Sequence, residues 1–291
     1  MLRVLLTVTF ACTIAACARD VRRGAAEAHP QRIVALTVGA VDTLARLGEL
    51  DRVVAVEEDC LVPGTESLVR IRNDDHSGPS RALNVEAVLA LQPDLVIAKE
   101  DLRAALDQRG VAVLWVPSTS DLATIERTID DLGERLGVPD KAHALVRDMR
   151  ARRDAIAARV AGRPQVKVYY EAGRAGRTAG RGTVVDEMIR LAGGVNVAGE
   201  LPLANPVLAS DAIVAANPDV IVLSPWSDAP EDVARRPGWD HIAAVRAARV
   251  HRLTESERQV QYPSPSCIDG CAALFVPWFH PDVATPTAAG R

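Results

Sequence analysis

The coordination chemistry within reach of this 291-residue chain rests largely on its cysteines and one polar run. Cys267 and Cys271 stand four residues apart, and on a helix both sulfurs would share one side. Cys60 and the run Asn73-Asp74-Asp75-His76 supply further ligand types. Thiolate and imidazole together suit zinc, copper or a haem iron, so Cys60, His76, Cys267 and Cys271 form one candidate metal set. A single Cys-x3-Cys has no second tight pair to close such a site. The same sulfurs suit a disulfide, Cys267 with Cys271 or Cys60 with either, and equally suit buried free thiols. The sequence leaves all three readings open.

Other side chains suggest binding rather than catalysis. Trp226 follows an apolar run directly, in Ser224-Pro225-Trp226-Ser227, where an indole can stack on the apolar face of a ligand. Tyr262 precedes Pro263-Ser264-Pro265-Ser266, and its phenol can donate to, or ligate, a metal complex. The stretch 171–183 sets Arg174, Arg177 and Arg181 among glycines. It lacks the Gly-Lys-Ser/Thr ending of a phosphate-cradling loop, leaving a basic edge for an anionic ligand or a solvated loop. Arg72 and Lys99 add positive charge in two further ligand-side stretches, 70–81 and 99–102. Trp115, inside an apolar run, is expected in the core, and Trp239 is expected to be structural. No Gly-x-Ser-x-Gly elbow and no His-Glu-x-x-His occurs, so no catalytic constellation is evident. A net charge of -4 and 3% aromatic residues give neither the footprint nor the stacking platforms of a nucleic-acid binder.

The elements that must carry these residues alternate between strand and helix. Apolar runs at 32–36, 52–56, 94–98 and 111–116 lack polar alternation, as buried parallel strands do. Helical stretches lie at 41–47 and 84–91. A second set follows, with strands at 165–170, 219–223 and 250–253 and a helix at 184–191 closed by Gly193-Gly194. At an offset of 125 residues, 86–97 (EAVLALQPDLVI) matches 211–222 (DAIVAANPDVIV), each an acid, an apolar helix, Pro-Asp and a buried strand. The echo implies two similar lobes. Between them, 140–160 has no Gly or Pro and favours one helix, with an apolar stripe of Ala144, Val146, Met149, Ile156 and Val160. The expected architecture is therefore α/β, two similar Rossmann-like lobes (32–138 and 163–284) joined by one long α-helix (139–162), with a tail at 285–291. Ligands of such folds bind beyond the carboxyl ends of the strands.

The first 17 residues have a basic start, an apolar centre too short to span a bilayer and small residues at the exit. Ile14-Ala15-Ala16-Cys17 resembles the lipobox of bacterial lipoproteins, in which the cysteine is lipidated. This implies a soluble domain on a tether (18–31), anchored at Cys17 in the periplasm or on the outer face of the cytoplasmic membrane.

Several motifs in order resemble one family. They are Gln31–Leu36 with Asp42 and Leu47-Gly48, Asp51–Val56, Cys60-Leu61-Val62-Pro63, and Asn84–Ala98. In the second half, Val184–Asn196, Asn217–Leu223, Arg236-Pro237-Gly238-Trp239 and Ala244–Val250 continue the pattern. Together they resemble the helix-linked (class III) substrate-binding proteins of ABC importers for vitamin B12, ferric siderophores and haem, over about 30–281. The resemblance implies a monomer that captures a small-molecule metal complex of cobalt or iron between its lobes and needs no cofactor. The loops beyond the strand ends, with the residue chemistry above, place the expected ligand contacts at Cys60, Arg72, His76, Lys99, Arg174, Trp226, Tyr262 and Cys267. The resemblance further implies that Glu86 and Asp211, partners in the internal repeat, dock onto arginines of an ABC permease dimer. Asp211 is one methylene shorter than the family's usual Glu. Against this stand an extracytoplasmic metalloenzyme using the Cys/His set, and a scaffold lipoprotein that has lost its permease.

Overall fold

The computed structural model describes residues 29–72, 83–117, 120–173 and 176–283. Cys17, His76 and Arg174 lie outside the described residues, as do the signal segment and the tail. Among the described residues no helix is long and apolar enough to cross a membrane.

Two parallel sheets form the frame. The first holds β1 (Ile33–Ala35), β2 (Val53–Glu57), β3 (Val69–Ile71), β4 (Leu95–Lys99) and β5 (Val113–Val116), in the order β3-β2-β1-β4-β5. The second holds β6 (Val166–Glu171), β7 (Gly194–Asn196), β8 (Val220–Leu223) and β9 (Val250–Arg252), in the order β7-β6-β8-β9. Without the edge strand β3, the two orders coincide. The main helices are α1 (Val38–Leu47), α2 (Val85–Ala90), α3 (Leu122–Leu136), α4 (Pro139–Val160), α5 (Val184–Leu191), α6 (Ser210–Ala216) and α7 (Ser266–Gly270). The last continues through a π-helical turn, Cys271–Phe275, into Val276–Phe279.

Both sheets are covered on both faces, which is why their strands show apolar runs without alternation. Val34, Val96 and Ala98 turn outward onto Val85 and Val88 of α2. Tyr169, Ile221 and Leu223 do the same onto Ile213 of α6 and onto Trp239. The inner faces, with Ile33, Ile97, Val168 and Val222, join one continuous core through Met149 and Ile156 of α4. The buried stripe of α4 is Ala142, Val146, Met149 and Ile156. Ala144, expected in that stripe, faces solvent, because steps of four and three residues from Ala142 already trace the helix face. The strands β3 and β7 and the helix α3 are absent from the sequence reading. Each strand is three residues long, and Gly193-Gly194 reads as a helix end although Gly194 opens β7.

The repeat is physical as well as sequential. Gln92 and Asn217, each just before the Pro-Asp pair, take left-handed backbone (φ 49° and 46°) and end their helices. Asp94 accepts from the amides of Gln31 and Arg32 at 2.7 and 2.9 Å. Asp219 accepts from the Lys167 amide at 2.8 Å. A basic side chain then caps each helix, Arg32 on the Leu91 carbonyl at 2.7 Å and Lys167 on that of Ala216 at 3.0 Å. In both lobes the aspartate therefore fixes the start of the neighbouring strand, and the base satisfies the helix end.

The lobes are stapled directly as well as through α4. Asp42 of α1, only 6% exposed, accepts from the amide and hydroxyl of Ser266 at 2.9 and 2.8 Å. It thereby caps the N-terminus of α7 from the other lobe. Asp269 of α7 accepts from Arg46 of α1 and Arg152 of α4. A Cβ at Gly39 would lie 2.1 Å from the Pro263 carbonyl oxygen, so only glycine permits this approach. The helices α1, α4 and α7 therefore meet in one hydrogen-bonded junction between the lobes.

Candidate functional site

The carboxyl ends of the first sheet open onto a chamber between α1 and α3. Its floor is Ile97, Leu114, Ile125 and Leu132, all nearly inaccessible. Its mouth carries Thr37, Glu57, Lys99 and Val116, and Thr128 lines it farther along α3. Tyr262 and Pro263, from the segment that follows β9, close it from the other lobe. The enclosed space is small, about 50 Å³, and it opens to solvent at its mouth. Local rules place these groups. Glu57, Lys99 and Val116 are the last residues of β2, β4 and β5, and Thr37 caps α1 by accepting from the Ala40 amide at 3.1 Å.

The neighbouring loop, 57–65, is pinned by Arg70, which donates to the carbonyls of Cys60 and Thr65 at 2.6 and 3.0 Å. Arg258, 6% exposed, reaches across from the other lobe to the Asp59 carbonyl. Its guanidinium also lies 3.9 Å from the Asp59 carboxylate and 3.4 Å from Glu255. The lobes therefore touch beside the ligand loops as well as behind them.

At the carboxyl ends of the second sheet lies a charged cluster. Glu171, fully buried at the end of β6, accepts two bonds from Arg236 at 2.6 and 2.9 Å and one from the Tyr169 hydroxyl at 3.2 Å. Arg236 also holds Asp228 at 3.0 Å and lies 4.8 Å over the Trp239 ring. The hydrogen bonds to Glu171 raise the guanidinium above its ordinary value. Burial, then the Glu171 charge, raises the Tyr169 phenol. Ser227 donates to the Glu171 carbonyl at 3.0 Å, so the cluster anchors the turn that carries Trp226.

The structure brings some expected residues together and separates others. Lys99 and Tyr262 share the chamber. Trp226 is 37% exposed at the end of β8. Arg72 is exposed and pairs with Glu58 at 3.0 Å. Trp115 is half-buried under the Arg103 guanidinium, 4.5 Å from the ring centre, and not wholly in the core. Trp239 is buried and donates to Ser210 at 2.7 Å, a structural role. Glu86 and Asp211 are exposed in the first turns of α2 and α6. Crossover helices run against their strands, so both carboxylates sit at the carboxyl edge of their sheets, on the side of the ligand loops. Reading the sequence missed Thr37 and Arg258, and it set Glu57, Arg70 and Glu171 at the starts of cleft-side stretches without giving them roles. Glu57 and Glu171 had a usable signal, a carboxylate closing an apolar strand.

Of the three readings open for the cysteines, the structure supports buried free thiols. Cys60, Cys267 and Cys271 are free and buried, so the Cys267–Cys271 disulfide is not formed. Cys267 is inaccessible behind α1 and does not line the ligand side. Among the described residues no three metal-ligand side chains come together. The four-residue spacing was right, but the side that both sulfurs share faces the core. Burial pushes the Cys267 thiol up to about 12 and raises Cys271 and Cys60 too. The unfolded chain releases these protons from about pH 9, so their contribution is complete below pH 9 and is lost as pH rises toward 12. The melting temperature is expected to fall steadily over that window, with buried Tyr169 and Tyr170 acting in the same direction. Alkylation at pH 8, mapped by mass spectrometry, should modify these three only after denaturation. Rapid native modification of any of them would contradict the burial.

Comparison with known proteins places this architecture. The periplasmic binding protein family model matches residues 33–257. A cobalamin-binding protein of Halobacterium salinarum is 32% identical over 212 residues, 69% of this chain and 56% of that protein's length. The uncharacterized ABC transporter substrate-binding lipoprotein YvrC of Bacillus subtilis is 29% identical, covering 84% of this chain and 79% of its own. A periplasmic heme-binding protein from Pseudomonas aeruginosa superposes with a TM-score of 0.74 at 27% identity, over 89% of this chain and 95% of its own. The likeness in fold extends over most of the chain, and the chain belongs to the periplasmic binding protein family.

Proposed function

We propose that this protein captures a corrinoid or an iron chelate, haem included, between its two lobes and delivers it to an ABC importer. The observation that carries the reading is the chamber at the carboxyl ends of the first sheet, closed by Tyr262 and Pro263 from the second lobe. Relatives named for cobalamin and heme binding support the ligand class. The cargo brings its own cobalt or iron, and the protein needs no resident cofactor. It acts as a binding protein and not as an enzyme. In this reading the monomer is held outside the cytoplasm by a lipid on Cys17, and Glu86 and Asp211 present paired carboxylates to the two halves of a permease dimer.

The test is a thermal-shift series on the full chain in detergent with cyanocobalamin, ferric siderophores, haemin and divalent metal ions. A ligand at 100 times its Kd adds about 2.7 kcal/mol, which raises Tm by several degrees at this size. A shift with one chelate or macrocycle is expected. A shift with bare metal ions alone, or with none of the series, would overturn the reading.

A further inference from the structure

We infer that the cargo's main bearing surface is a rim on the second lobe, where Leu203, Val207 and Trp226 take its apolar face and Arg177 takes an anionic group at its edge. The inference rests on the proposed reading of the protein as a carrier of metal complexes. The chamber of the first lobe, at about 50 Å³, has room for water and not for a ring system. The surface that meets a macrocycle therefore lies elsewhere on the ligand side.

The rim is a short antiparallel ribbon built from the loops that follow β6 and β7. The Gly180 amide donates to the Ala204 carbonyl at 2.8 Å, the Thr178 amide to the Pro206 carbonyl at 3.0 Å, and the Leu208 amide to the Gly176 carbonyl at 3.0 Å. The three bonds share one register, in which Arg177 stands opposite Val207. A Cβ at Gly176 or Gly180 would lie 2.2 or 2.0 Å from a carbonyl oxygen of the facing segment. The glycines among the arginines of 171–183 thus serve this pairing. Side chains alternate along such a segment. Ala204, Pro206 and Leu208 are wholly or partly covered, while Leu203, Asn205 and Val207 turn outward together. Leu203 and Val207 are 61% and 66% exposed, the highest values for large apolar side chains among the described residues.

The ribbon adjoins the turn that carries Trp226. The Glu171 carbonyl accepts from the Ser224 amide and the Ser227 hydroxyl, and the next residue, Ala172, donates to the Arg177 carbonyl at 2.8 Å. The strands β8, β6 and β7 are neighbours, spaced about 4.8 Å apart. Trp226, Arg177 and Val207 therefore follow one another along the carboxyl edge of the sheet, over a width that suits a flat ring system. Apolar side chains held out into water on a fixed backbone mark a contact surface. Because the ribbon is already hydrogen-bonded, little ordering is left for binding to impose. A guanidinium set among them selects an apolar face with a carboxylate or phosphate at its edge, and it offers a bare cation nothing.

Isothermal titration of the full chain in detergent tests this with two matched probe pairs. Haemin carries carboxylates that its dimethyl ester lacks, and cyanocobalamin carries a phosphate that dicyanocobinamide lacks. Leu203→Glu and Val207→Glu are each expected to weaken the better-bound macrocycle at least tenfold with Tm unchanged. Val195→Glu, at an exposed position outside the rim, is expected to stay within twofold. Arg177→Gln is expected to weaken the anionic member of the bound pair at least fivefold and its mate less than twofold. Either glutamate variant that binds within twofold of the unsubstituted chain overturns the inference and leaves the carrier reading standing. So does an Arg177→Gln variant that fails to separate the two members of the pair, and so does an unsubstituted chain that binds ferric siderophores and no macrocycle. Binding of no metal complex at all by the unsubstituted chain removes the carrier reading itself, and the rim falls with it.

Discussion

Arg236→Met is expected to destabilise the protein by about 3–5 kcal/mol, because it strands a charge that has no access to water. Glu171 is fully buried, and two of its hydrogen bonds come from the Arg236 guanidinium. Removing that partner leaves a carboxylate with only the Tyr169 hydroxyl among its side-chain donors here. Methionine keeps much of the side-chain volume, so the loss reports on charge and not on a cavity. Glu171→Gln in the same chain should recover part of the deficit, since a neutral amide costs far less to bury than an unpaired carboxylate. Urea unfolding of the two single variants and the double variant measures the coupling. The turn that carries Trp226 is tied to this cluster through Ser227 and Asp228, so affinity for cargo should fall as well. A loss below about 1 kcal/mol for Arg236→Met would mean that water or a relaxed partner reaches Glu171, against the burial seen here.

Reversing both carboxylates proposed to dock, Glu86→Arg with Asp211→Arg, should reduce cargo uptake at least tenfold and leave cargo affinity unchanged. Each carboxylate is exposed and outside the chamber, so neither binding nor folding depends on it. Placing a cation in the first turn of a helix opposes the macrodipole by about 0.3–1 kcal/mol, a minor effect on Tm. Opposite a permease arginine, the same change turns an attraction into a like-charge clash, which costs several kcal/mol at an interface. Uptake by reconstituted transporter, with cargo affinity measured in parallel, separates the two effects. Uptake retained within twofold would remove Glu86 and Asp211 from the interface.

Much of the frame was legible because it obeys local rules. Buried parallel strands show apolar runs, Pro-Asp after an apolar helix marks a stop and a turn, and a long stretch free of Gly and Pro forms one helix. The repeat of 86–97 in 211–222 announced two lobes, and the same repeat carries Asp94 and Asp219 into equivalent hydrogen bonds. Short strands such as β7 escaped, since three residues hold too little pattern to separate them from a turn.

The site was legible only in outline. The sequence by itself determined the alternation of strands and helices, the duplication, the joining helix and the loops that reach the ligand side. Only the tertiary structure decided that Cys267 and Cys271 face the core, that Arg236 closes on Glu171 65 residues away, and that Asp42 caps a helix 224 residues later. The chamber between α1 and α3 likewise exists only once two helices are laid side by side on one sheet. Local structure follows from neighbours within a few residues, through backbone sterics and periodic burial. Contacts between distant residues depend on how whole elements stack, and spacing along the chain holds no record of that.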